Sequence, residues 1–258
     1  MIDVTYWISG ALSGGLVGFV LGLIGGGGSI LAVPLMVYVV GVSSPHVAIG
    51  TSALAVAANA FAGLVNHARA QTVKWKCGLV FAAAGMLGAL GGSTLGKSFD
   101  GQKLLFLFAL LMIVVGALML RKSGRRSNAH VVLDRKNAPK LGIFGLVAGA
   151  VSGFFGIGGG FLILPGLIAA TRMPMINAVG TSLVAVSAFG ITTAANYALS
   201  GYVDWLLAGV FVAGGVLGSL VGTQLARKLS STGALTKIFA GVIFVTAAYM
   251  LWQSWLAM

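Results

Sequence analysis

Ten apolar stretches follow one another along the 258-residue chain, at 4–24, 29–41, 46–66, 75–96, 103–120, 141–156, 160–171, 175–199, 205–227 and 233–256, and no Asp or Glu lies well inside any of them. Most approach the roughly 20 residues that a helix needs to cross a bilayer core. Hydrophobic residues make up 58% of the chain and charged ones 8%, whereas a soluble globular domain carries about a quarter charged residues. A soluble enzyme is excluded, and the reading is an all-α polytopic membrane protein. The stretches at 29 and 160 are too short to cross and read as half-helices.

The second half of the chain repeats the first. GLIGGGGSILAVP from Gly22 aligns with GFFGIGGGFLILP from Gly153 at an offset of 131, setting Gly25, Gly27, Gly28 and Pro34 against Gly156, Gly158, Gly159 and Pro165. Upstream, Gly14 and Gly18 meet Gly145 and Gly149; at an offset of 130, Gly50-Thr51-Ser52 meets Gly180-Thr181-Ser182, Trp75 meets Trp205, and Gly88 and Gly92 meet Gly218 and Gly222. The chain therefore divides into an N-terminal repeat, 1–120, a basic linker, 121–140, and a C-terminal repeat, 141–258. Each repeat has a Gly-broken half-helix pair followed by three transmembrane helices.

Loop charges indicate how the repeats face one another. The linker RKSGRRSNAHVVLDRKNAPK has seven basic residues and one acid, Asp134, and reads as a cytoplasmic loop. If each broken pair goes in and returns on one side, Arg69, Lys74, Lys76, the linker's seven, Arg172, Arg227, Lys228 and Lys237 fall inside, against Lys97 and Lys103 outside. If each pair is one bent crossing, Arg172, Arg227, Lys228 and Lys237 move outside. The positive-inside rule favours the first arrangement, hence inverted repeats, with Ser200 outside and Ser231 inside. A re-entrant pair and two full crossings have the same parity and are not distinguished. The surplus of 16 Lys and Arg over 4 Asp and Glu thus faces cytoplasm and anionic lipid, and no nucleic-acid partner is expected.

The doubled pattern, GLIGGGGSILAVP with GTSALAV and GFFGIGGGFLILP with GTSLVAV, resembles the sulfite exporter TauE/SafE permeases, and the resemblance covers essentially the whole chain. It implies a permease for sulfite or small organosulfur anions, with cargo that differs among members.

The residues supply a mechanism of their own. Glycine lets the backbone turn sharply and approach a ligand closely. Half-helices beginning near Ser29 and Gly160 would present N-terminal amides and positive dipole ends to an anion without a buried formal charge. Inversion brings two such ends toward the midplane, so Gly25, Gly26, Gly27, Gly28 and Ser29, with Gly156, Gly158, Gly159 and Gly160, are the expected cradle. Gly14, Gly18 and Gly22, like Gly145, Gly149 and Gly153, are assigned instead to close helix packing. Thr51, Ser52, Thr181 and Ser182 offer repeat-related hydroxyls to an oxyanion, or bond locally to the preceding turn. Asn66 and Asn196 also correspond and enter the candidate site, although interhelical hydrogen bonding is the commoner role for them and for Asn59, which has no counterpart.

No carboxylate sits where a coupling ion is often bound, so facilitated flux of the anion down its own gradient is expected. His46 and His67 lie near segment ends and read as solvated interfacial histidines. The run Gly91 to Ser98, GGSTLGKS, matches a P-loop expression but closes an apolar helix and lacks the strand that a P-loop follows. One cysteine, Cys77, excludes an intramolecular disulfide, and no Cys and His spacing suggests zinc, so neither metal nor cofactor is expected. The N-terminus carries no basic residue ahead of its apolar run, so the first helix should remain in the mature protein of the plasma membrane. A divalent-metal permease and a membrane scaffold without cargo are the alternatives. The sequence does not reveal oligomeric state.

Overall fold

The computed structural model describes residues 4–121, 133–134, 137–157, 160–229 and 234–256; most of the linker, and Gly158 and Gly159, lie outside them. The described residues contain helices and no strands. In the first half, α1 (Val4–Ile24) is followed by a broken segment, then α3 (Pro45–Arg69), α4 (Trp75–Lys97) and α5 (Gly101–Arg121). In the second, α6 (Ala138–Phe155) is followed by α7 (Gly160–Thr171), α8 (Met175–Ala198), α9 (Trp205–Leu229) and α10 (Ala234–Leu256). Among the described residues six helices, α1, α3, α4, α6, α8 and α9, are long and apolar enough to span a bilayer.

The expected half-helix at 29–41 differs from its repeat mate. It begins as a 3-10 helix at Gly25–Leu31, passes through a single α turn, α2 (Ala32–Leu35), and ends as a π turn at Met36–Val40, whereas α7 is a regular α-helix. A run of four glycines has no side chains to favour α over the tighter turn, and its 3-10 backbone returns against α1, where a Cβ on Gly28 would overlap the backbone of Leu21. Both breaks nonetheless start alike. Gly25 at φ +69° and Gly156 at φ +67° are left-handed, the conformation that stops a helix at low cost only in glycine. At Gly156 its own N–H and that of Ile157 close the end of α6 on the carbonyls of Gly153 and Ser152, at 3.1 and 3.2 Å.

The halves interlock. The first helix of each half packs along the fourth element of the other, α1 on α9 and α6 on α4. Glycine makes the contact backbone to backbone: a Cβ on Gly14, Gly18 or Gly22 would overlap the carbonyl of Phe211, Gly215 or Ser219, and one on Gly145, Gly149 or Gly153 that of Phe81, Gly85 or Ala89. The return faces match, with Gly218 and Gly222 on Gly15 and Phe19, and Gly88 and Gly92 on Leu146 and Ala150. In lipid, where apolar side chains gain nothing by leaving water, such close approach supplies the dispersion that holds helices together. The packing role assigned to these glycines from spacing is therefore observed. Helices α3 and α8 cross at the centre and run antiparallel, since Gly180 faces His67, Gly63 faces Leu183, and Gly190 faces Ala53 and Ala57. The outer surface is apolar, with Leu12, Leu87, Val147 and Leu217 more than half exposed, as a lipid-facing belt requires.

All three acidic residues among the described residues serve backbone at helix starts. Asp204 Oδ1 accepts the N–H groups of Leu206 and Leu207 at 3.1 and 3.0 Å, Asp100 Oδ1 that of Lys103 at 3.0 Å, and Asp134 Oδ1 that of Asn137 at 2.8 Å.

Candidate transport site

The two backbone breaks meet. The Gly160 N–H, at the first residue of α7, donates to Ser29 Oγ at 3.1 Å in a fully buried contact, and the two residues are repeat equivalents, 131 apart. Ser29, Ile30 and Gly28 are buried beside it. One of the helix-start amides assigned to an anion is thus held by a hydroxyl of the opposite break. Each break also rests on the other half: a Cβ on Gly25 would stand 2.6 Å from the carbonyl of Val179 and 2.7 Å from Ser182 Oγ, and one on Gly156 would overlap Ile49, the repeat mate of Val179. The candidate positions shown in contact are Ser29 with Gly160 and Gly25 with Ser182, while Gly156 lies against Ile49 and Gly28 against Leu21; Gly26 and Gly27 belong to the 3-10 turn.

The GTS segments do two different things. Thr51 Oγ1 accepts the N–H of Asp204, and Thr181 Oγ1 accepts that of Lys74, each at 2.9 Å. Each hydroxyl pins the loop ahead of a long helix in the opposite half, at some distance in chain terms from the breaks. Ser52 Oγ donates to the carbonyl of Ile49 at 3.0 Å and Ser182 Oγ to that of Val179 at 2.8 Å, the local bonding a buried helix serine makes. Ser52 and Ser182 sit one residue on from these anchors, on the side of the helix that carries the contacts to Gly156 and Gly25.

The three asparagines separate. Asn196 is interhelical: its Nδ2 donates to Ser93 Oγ at 2.6 Å and Thr94 Oγ1 at 3.1 Å, and its Oδ1 accepts from Lys97 Nζ at 2.9 Å. Asn66 lines a cavity of about 260 Å³ together with Arg69, Ala70, Leu220, Thr223 and Gln224. Asn59 is fully buried at the middle of α3, and neither its Oδ1 nor its Nδ2 has a hydrogen-bond partner among the described residues. Interhelical bonding, expected for all three, is observed for one.

The histidines depart from expectation. His67 is completely buried, with Nδ1 2.9 Å from Thr72 Oγ1 and Nε2 3.3 Å from the carbonyl of Gly22. Helix α3 continues to Arg69, beyond the end that hydropathy suggests, and the 72–74 loop folds back over it. His46 is half-buried and lies against the rings of Tyr197 and Tyr202, with centroids at 6.4 and 5.5 Å. Sequence reasoning missed the cluster around Lys97, because GGSTLGKS drew attention to its glycines and not to Ser93, Thr94 and Lys97 at the spacing of one helix face.

No group of three His, Cys, Asp or Glu residues capable of holding a metal occurs among the described residues. No solved structure matches the chain. A probable membrane transporter protein of Xylella fastidiosa strain 9a5c is 53% identical over 94% of each chain. The probable membrane transporter proteins YunE of Bacillus subtilis and MJ0441 of Methanocaldococcus jannaschii are 28% and 24% identical, over 92% of this chain and 94% and 93% of theirs. The profile of the family described as sulfite exporter TauE/SafE matches residues 10–250, so the chain, a membrane transporter of helical build, belongs to the TauE/SafE family.

Proposed function

We propose that this transporter is a plasma-membrane permease for small sulfur-containing anions, sulfite or organosulfonates, and that the cargo passes where the two Gly breaks meet. The observation that supports the reading is the buried bond from the Gly160 N–H to Ser29 Oγ, between the start of α7 and the broken segment of the opposite half. Such starts attract anions through amide hydrogens and dipoles. A hydroxyl standing on one of those amides is a partner that an oxyanion can replace, oxygen for oxygen.

The halves are inverted about an axis in the membrane plane. Antiparallel α3 and α8, the reciprocal Thr51 and Thr181 bonds, and the loop charges all support this arrangement. The described acids stand at helix starts and none lies deep in a span to bind a coupling ion, which supports flux down the anion's own gradient, aided outward by an inside-negative potential.

Flux into proteoliposomes, measured for sulfite, sulfate, thiosulfate, a sulfonate and a divalent metal, tests the reading. Sulfur-anion flux that Gly27→Val abolishes while the protein still purifies as a folded species is the expected result. A folded, inert wild-type protein overturns it, and so does metal flux without anion flux.

A further inference from the structure

Two polar clusters occupy repeat-equivalent places, and their described residues make different contacts. At an offset of 130, Asn66, Ala70, Thr223 and Gln224 correspond to Asn196, Ser200, Ser93 and Thr94, and Lys97 corresponds to Arg227. Because α3 and α8 run antiparallel, the cluster between α4 and α8 and the one between α3 and α9 lie at opposite ends of the bundle.

Between α4 and α8 the space is taken. Lys97 Nζ donates to Asn196 Oδ1 at 2.9 Å, to the Asn196 carbonyl at 3.0 Å and to Ser200 Oγ at 2.8 Å, and Asn196 Nδ2 is committed to Ser93 and Thr94. Between α3 and α9 the equivalent residues line the 260 Å³ cavity, which is open on one side. That volume compares with about 30 Å³ for one water molecule. Among the described residues its polar lining consists of the Arg69 guanidinium and the Asn66 and Gln224 carboxamides, all able to donate, with the Thr223 hydroxyl, whose proton goes to the Ser219 carbonyl at 2.8 Å, and no acidic residue. Ala70 lacks the hydroxyl with which Ser200 helps to hold Lys97 at the other end.

We infer that this cavity is an anion-binding subsite at one mouth of the permease, and that the Lys97 cluster is its counterpart at the other mouth, latched by the ammonium on Asn196. The inference rests on the anion-permease reading above and adds to it the two places where cargo is held on the way in and out. A pyramidal sulfite or a tetrahedral sulfonate fits the donor set, with the guanidinium taking two oxygens and a carboxamide the third. At the latched mouth an arriving anion draws Lys97 away from Asn196 Oδ1 and takes the ammonium as its own donor. Inverted repeats that exchange conformations alternate access by interchanging these two arrangements.

The test uses full-length detergent-solubilised protein with Cys77→Ser, bearing either Thr223→Cys or Ser93→Cys, and follows labelling by a charged maleimide with and without methanesulfonate, against chloride at equal ionic strength. Expected is labelling of Thr223→Cys about tenfold faster than Ser93→Cys, the factor that loss of charge-assisted hydrogen bonds implies. Methanesulfonate slows labelling of Thr223→Cys, and Arg69→Gln, at an exposed side chain, removes that protection. Lys97→Met raises labelling of Ser93→Cys to the faster rate, while Lys97→Arg does not. Equal labelling of the two cysteines, protection that survives Arg69→Gln, or indifference of Ser93→Cys to Lys97→Met each overturns the inference. Protection in a protein that moves no sulfur anion defeats the permease reading and leaves the subsite standing; flux without protection defeats the subsite alone.

Discussion

Asn59 occupies the space that a side chain on Gly215 would need: a Cβ built on that glycine would overlap the Asn59 carboxamide. In the other half the equivalent pair is Phe189 on Gly85, where a phenyl ring fills the same gap. One half thus places an apolar ring, and the other an amide without a partner, at the junction of a central helix with the interlocked pair beside it. A buried amide with neither group satisfied costs about 1–3 kcal/mol, so the exception calls for a use.

Asn59→Leu is predicted to raise the melting temperature in detergent by roughly 2–8 °C, as removal of an unsatisfied buried amide implies in a chain of this size. The same variant loses transport if the amide meets cargo in passage. Phe189→Asn, its mirror change, lowers the melting temperature by a similar or larger amount. Unchanged stability and unchanged flux in Asn59→Leu assign the amide no role at all.

Thr51→Val and Thr181→Val each leave one loop N–H of the opposite half without its acceptor, Asp204 in one case and Lys74 in the other. Each is predicted to cost about 1–3 kcal/mol, and the two costs should agree within error because the bonds are equal in length and repeat-related. Denaturant titration of both variants measures this. A large effect at one threonine alone contradicts the reciprocal arrangement.

In Cys77→Ser protein, Ser200→Cys and Ala70→Cys occupy equivalent places in the two halves. Inversion predicts that an impermeant thiol reagent reaches Ser200→Cys from outside the cell and Ala70→Cys only after the cytoplasmic face is exposed. Labelling of both from one side rejects inversion.

Gly18→Leu and Gly149→Leu are predicted to prevent folding, since each side chain would have to pass through a facing carbonyl on α9 or α4. Gly142→Leu and Gly209→Leu, in the same type of helix but with nothing within 4 Å of the added Cβ, should leave a monodisperse protein. Size-exclusion profiles separate the two pairs.

Hydropathy places α1, α4 and α7 to within a residue or two of where they lie, because in a bilayer the apolar length of a segment and the charges or Pro that end it act on the same short span. The duplication likewise announces which residues face one another, including Ser29 and Gly160. Composition does not carry the state of a glycine run: Gly25–Leu31 is 3-10, with Gly28 packed against Leu21, whereas α7 is α-helical from Gly160. Nor does hydropathy reveal that His67 is covered, since the covering comes from a loop that only tertiary folding returns. Thr51 and Thr181 anchor loops of the opposite half, a role that a hydroxyl present in both repeats serves as readily as contact with an oxyanion. The loop charges place Lys97 outside but do not reveal its acceptors, Asn196 and Ser200, which are about a hundred residues away.

Interlocking has a consequence for biogenesis. When the ribosome has released only the first 120 residues into the bilayer, α1 and α4 each present a glycine-lined groove whose filler, α9 or α6, has yet to be translated. The nascent half must wait among lipids as loosely associated helices, and consolidation comes in one late step when the last segments insert. Separately expressed halves, cut within the 121–140 linker, should therefore each be degraded when alone and rescue one another when made together.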